Sequence, residues 1–157
     1  MTRAIAAVAL LLVAVACGSA SEAGATSPSP SASAPASASA SPGGLVFSID
    51  GKKYGTSAAG TITLTNSSGS FTLELKIHGL AADSSHVSHI HGGSCEQPGG
   101  ILFALTQVVA DGNGDADTIT PVSAKYPPAS GHWYVVVHAG ENMMGANATY
   151  LLCGNLF

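Results

Sequence analysis

Arginine is almost missing from this chain of 157 residues: its single copy is Arg3, and only 9% of all residues are charged. Beyond Arg3 there are four lysines against nine acids, a net charge of −5 with histidine neutral. That balance argues against nucleic acids and other polyanions as partners. No apolar run reaches the roughly 20 residues that a membrane-spanning helix needs. No stretch sustains a helical period, so a helix-built domain is not expected. A Gly-rich phosphate loop, a Ser/His/Asp order and a free cysteine nucleophile are also missing, which removes the commonest nucleotide-binding and acyl-transfer chemistries. Cysteine is scarce and odd in number, three in all.

What is present begins with an export pattern. Met1-Thr2-Arg3 precedes the apolar run Ala4 to Ala16, a charged start and a short greasy core with a small-residue exit, and residues 1–16 are read as a signal peptide. The exit Ala14-Val15-Ala16-Cys17-Gly18 is similar to a bacterial lipobox lacking its usual leucine, which makes Cys17 the lipidated residue and the membrane a partner through that anchor. Without lipidation the same exit is an ordinary cleavage site and the protein is secreted; either way the location is extracytoplasmic. Residues 17–44 are nearly all Ser, Ala, Pro, Gly and Thr. Such a composition buries too little apolar surface to offset chain ordering and is expected to be a disordered tether reaching on the order of 30 Å. With Cys17 assigned to the anchor, Cys95 and Cys153 are left to pair in an oxidising compartment.

Residues 45–157 change texture to alternating apolar and polar positions, enough for one domain with one core. Val46-Phe47-Ser48-Ile49 and Gly60 to Thr65 read as strands. Phe71 to His78 alternates cleanly, burying Phe71, Leu73, Leu75 and Ile77 and leaving His78 on the solvated face. Further strands are predicted at His86–His91, Ile101–Val109, Asp117–Val122, His132–His138 and Ala148–Cys153, with a hairpin turn at Asp111–Asp117. The predicted fold is all-β, a Greek-key β-sandwich or flattened barrel of seven to eight antiparallel strands.

His89-Ile90-His91 is the chemical centre of the sequence. On a strand both imidazoles project from one face about 7 Å apart while Ile90 points into the core. His138 ends the apolar strand Trp133-Tyr134-Val135-Val136-Val137 and brings a third imidazole to the same spot if the two strands are neighbours. Three imidazoles suit copper or zinc. His132 and Tyr134 share strand parity with His138 and are candidates for the same face. Met143 and Met144, in the loop after His138, could add a thioether that favours the cuprous ion, or simply pack over a groove.

From Tyr54 onward the chain resembles the copper/zinc superoxide dismutase family. The resemblance rests on Gly60-Thr61-Ile62-Thr63-Leu64, Ile77-His78-Gly79-Leu80, His86-Val87-Ser88-His89-Ile90-His91, the turn Val109 to Asp117, Val136-Val137-His138 and Leu152-Cys153-Gly154, in that order. It implies that His89, His91 and His138 are copper ligands, that His86 supports them from behind, and that Cys95 and Cys153 form the intrasubunit disulfide. Zinc is not expected. Only Gly92-Gly93-Ser94 separates His91 from Cys95, Ile101-Leu102-Phe103-Ala104 stands where the last zinc ligands should be, and no histidine occurs between His91 and His132 to bridge two metals. Tyr150 occupies the place of the arginine that attracts the anion. The expectation is therefore an envelope-anchored, copper-binding, dismutase-like protein taking superoxide or the copper ion itself as its small ligand, with weak dismutase activity or none. A copper carrier without enzyme activity and a metal-free interaction module similar to chordin-type domains are the alternatives.

Overall fold

The protein is described here by a computed structural model covering residues 44–156. The expected signal at residues 1–16, the lipid-bearing Cys17 and the tether as far as residue 43 lie outside the described residues. The remainder is all-β, as the alternation predicts. In chain order the strands are β1 (Leu45–Asp50), β2 (Ala59–Ser67), β3 (Ser70–His78), β4 (Ser85–His86), β5 (Ser88–Gly93), β6 (Pro98–Ala104), β7 (Val108–Val109), β8 (Ala116–Val122), β9 (Trp133–His138) and β10 (Tyr150–Asn155). Two single 3-10 turns, Lys52–Tyr54 and Gly145–Ala148, interrupt them.

Eight strands form one strongly curled antiparallel sheet in the order β6-β5-β9-β10-β1-β2-β3-β8, while β4 and β7 pair separately. The central hairpin β2–β3 turns at Ser67–Ser70 and keeps full register from Ala59↔His78 to Ser67↔Ser70. The alternation in β3 is borne out: Phe71, Leu73, Leu75 and Ile77 are buried and His78 is exposed. The concave face of the sheet holds the core, in which Ile49, Ile62, Leu64, Leu73, Leu75, Ile90, Val135, Val137, Leu152 and Leu156 are almost wholly removed from water. Each such aliphatic side chain contributes about 1.5–3 kcal/mol.

Two predicted strands divide. His86–His91 breaks at Val87, because His86 pairs with Val108 of β7 whereas Ser88 pairs with Val137 of β9. At the switch the Val87 amide donates to the Gly140 carbonyl and its own carbonyl accepts from the His138 amide. Ile101–Val109 likewise splits into β6, paired with β5, and β7, paired with β4. Between them Thr106 reaches across to β8, its amide donating to Thr120 Oγ1 and its hydroxyl to the Ile119 carbonyl. Of the predicted Asp111–Asp117 turn, Asp111–Asp115 is a turn and the last two residues begin β8, with Asp111 Oδ1 accepting the Asn113 and Asp115 amides. It does not close a hairpin, since the flanking β7 and β8 pair with different partners.

All six residues of β9 are buried, so this strand is covered on both faces. Trp133, Val135 and Val137 enter the main core. Tyr134 and Val136 face outward into a second, smaller cluster with Cys95 and Cys153, against which Tyr54 and Tyr150 pack. The disulfide Cys95–Cys153 is formed and ties the β5–β6 loop to β10.

Candidate metal centre

Strands β5 and β9 are direct neighbours in antiparallel register, His89 opposite Val136 and His91 opposite Tyr134. Alternation sends Ile90 inward, fully buried, and His89 and His91 outward. His138, two residues beyond Val136, emerges on the same outer face beside His89, the two ring centroids 5.2 Å apart. His91 lies 5.9 Å from both of the other rings. One ring nitrogen from each of His89, His91 and His138 lies within 4.8 Å of the others.

The hydrogen bonds of these rings show which nitrogens converge. His91 Nδ1 donates to the Gly99 carbonyl at 3.1 Å and His138 Nδ1 to the Ala148 carbonyl at 2.8 Å. A carbonyl oxygen only accepts, so Nδ1 of each ring carries a proton, and in the neutral imidazole the lone pair is on Nε2. His91 Nε2, His138 Nε2 and His89 Nδ1 are all buried, and none has a hydrogen-bond partner. Buried nitrogens without partners are expensive, by about 1–3 kcal/mol each, and one orphan in a core is uncommon. Three facing one another form a group of nitrogens that could hold a metal ion.

Burial disfavours the charged form of two of these rings, His89 and His138. Burial holds His89 below the ordinary imidazole range, and the proximity of His138 and His91 pushes the same way. Burial likewise lowers His138, opposed by the carbonyl of Ala148 and reinforced by His91. His91 and His138 are almost completely enclosed, at 4% and 1% exposure, while His89 is half-buried and forms the solvent side of the cluster.

His86 is buried behind His138. Its Nδ1 donates to the His138 carbonyl at 2.9 Å, and its Nε2 lies 2.8 Å from Ser84 Oγ. Tyr134 takes the outer face expected from its parity, its ring 5.1 Å from that of His91. His132 lies outside β9 and is exposed, its carbonyl accepting the Gly93 amide. Met143 and Met144 are also exposed, at 42% and 75%. Tyr150, considered in the sequence only as the occupant of an arginine's place, packs against both His91 and His138, with centroids 5.9 and 5.5 Å away. Gly99 and Ala148, whose carbonyls orient two of the rings, carry no signal in the sequence. Their role depends on backbone geometry.

Residues 23–146 match the CHRD domain, a segment that contains all three histidines. The chain belongs to the CHRD domain family. No curated protein matches it in sequence. The expected identity as a copper/zinc superoxide dismutase-like domain is therefore corrected, because the matching family is the CHRD domain, and the dismutase function inferred from that resemblance falls with it. The misleading motifs have a physical explanation. A His-x-His strand, an apolar strand ending in histidine and an Asp-Gly-Asn-Gly turn are short pieces, and sharing them does not by itself establish a family. In this CHRD domain Ile101–Ala104, placed by that resemblance at missing zinc ligands, is simply part of strand β6.

Proposed function

We propose that this CHRD domain binds one transition-metal ion through His89 Nδ1, His91 Nε2 and His138 Nε2, and that the ion is copper. The observation that carries the reading is the convergence of three buried, partnerless imidazole nitrogens. Copper is favoured by chemistry. The set is all-imidazole, and among divalent first-row ions copper binds nitrogen donors most tightly. Copper bound there would supply redox or Lewis-acid chemistry; the chain's own contribution is to bring three imidazole nitrogens to one point, with two of the rings oriented by carbonyl hydrogen bonds at Nδ1. We read the protein as working outside the cytoplasm, anchored through a lipid on Cys17.

The test is the metal content of the purified protein after loading with copper and passage through a weak chelator, beside a His89→Ala, His138→Ala double variant. One copper per chain in the wild type and none in the variant is expected. Wild-type protein emerging without stoichiometric metal would overturn the reading.

A further inference from the structure

Strands β5 and β6 do not pair evenly beside the site. His91 stands opposite Ile101 and Gly93 opposite Pro98, so Gly99 and Gly100 together face the single residue Gly92, and the register shifts there. A bulge of this kind releases backbone groups from the regular ladder and re-aims them. The Gly99 carbonyl is re-aimed at His91 Nδ1.

What holds the released Gly99 peptide is a tyrosine hydroxyl. The Gly99 amide donates to Tyr134 Oη at 3.2 Å, and Tyr134 Oη in turn lies 3.5 Å from the Gly99 carbonyl as a long donor. Tyr134 Oη also shares a hydrogen bond of 3.0 Å with Tyr150 Oη. Tyr134 is fully buried, and its ring is fixed by the His91 ring on one side and the Cys95–Cys153 cluster on the other. Burial and the hydrogen bond to Tyr134 push the Tyr150 hydroxyl well above the ordinary phenol range.

We propose that Tyr134, braced by Tyr150, is the positioning residue of the metal centre: its hydroxyl holds the Gly99 peptide so that the Gly99 carbonyl keeps the proton on His91 Nδ1 and the lone pair on Nε2. This rests on the metal-binding reading for its purpose, but the tautomer of His91 belongs to the metal-free protein. Neither tyrosine touches the ion in this scheme. Each acts through His91, in the way that hydrogen-bond partners of ligating histidines commonly set ring orientation and basicity.

The experiment compares wild type with Tyr134→Phe and Tyr150→Phe, and with Tyr126→Phe as the control. Tyr126 loses a buried hydrogen bond, of 2.7 Å to the Leu156 carbonyl, within the main core rather than in the outer cluster. Imidazole nitrogen NMR of the metal-free proteins reads the tautomer directly. Wild type and Tyr126→Phe are expected to hold His91 in the Nδ1–H form, whereas Tyr134→Phe shows a mixture of the two forms. Copper affinity in competition with a chelator should fall about tenfold or more in Tyr134→Phe. The loss in Tyr150→Phe should be smaller, with little in Tyr126→Phe. An unchanged His91 tautomer in Tyr134→Phe, with copper affinity within about twofold of wild type, overturns the proposal. Wild-type protein that binds no copper overturns the metal reading, and the tautomer result then still decides whether Tyr134 sets His91.

Discussion

Burial at His89 and His138 makes the domain sensitive to acid. Both rings titrate below the usual imidazole value of 6.5 in the folded protein, with burial as the leading cause. The unfolded chain takes up protons near that value, so it binds more protons than the folded chain as the pH falls past it. The neutral rings therefore impose no penalty above about pH 6.5, and stability is progressively lost as the pH drops from there through the lowered folded values. The melting temperature of the metal-free protein should be flat between about pH 8 and 7 and decline below about 6.5. His89→Gln with His138→Gln should flatten that decline, and an identical slope in the variant would refute the assignment. If the triad holds a metal ion, its affinity should weaken over the same range, because protons compete for the same lone pairs. Much of the site was legible at this scale: a period of two puts His89 and His91 on one face, and a strand ending at His138 can supply the third ring. The donor atom used by each ring was not legible, because it depends on where the Gly99 and Ala148 carbonyls point. Those directions follow from a bulge and a 3-10 turn that no residue pattern announces.

The bulge between β5 and β6 is the element on which His91 depends, and its two glycines are not equivalent. A Cβ on Gly99 would run into the Gly92 carbonyl oxygen, whereas a Cβ on Gly100 meets nothing within 4 Å. Gly99→Ala must therefore shift backbone. It should cost about 1–3 kcal/mol of stability and weaken metal binding, while Gly100→Ala should do neither to a comparable degree. Chemical denaturation of the two variants side by side checks this. Elements of regular period, such as β3 with its buried Phe71, Leu73, Leu75 and Ile77, were readable from the sequence because one buried face enforces alternation. The apolar run of β9 was readable as a strand for a related reason, being covered on both faces. The breaks at Val87 and between Ala104 and Val108 were not, since there the chain changes partner without any Gly or Pro to mark it.

For the domain as a whole, the Cys95–Cys153 disulfide joins residues 58 apart and pins the β5–β6 loop to β10. Closing a loop of that length restricts the unfolded chain by about 4 kcal/mol on the chain-entropy account. Cys95→Ala with Cys153→Ala should lower the unfolding free energy by about that amount, measured in denaturant under non-reducing conditions. At the other end of the chain, Cys17→Ser should move the protein from the membrane fraction to the medium, and unchanged fractionation would dispose of the anchor. Family membership was the least legible property, because it resides in the pattern of the whole domain rather than in the half-dozen short motifs that pointed to another family. The neighbouring placement of β5 and β9 has a consequence for the order of events in the life of the molecule. His138 lies far along the chain from His89 and His91, and the three meet only when non-local strands pair, which is the slow kind of step in β-proteins. A nascent or unfolded chain offers the local imidazoles of His86, His89 and His91 but not His138 beside them. The complete three-nitrogen set is made by folding, so an ion would be acquired by the finished domain rather than serve as the seed around which it forms.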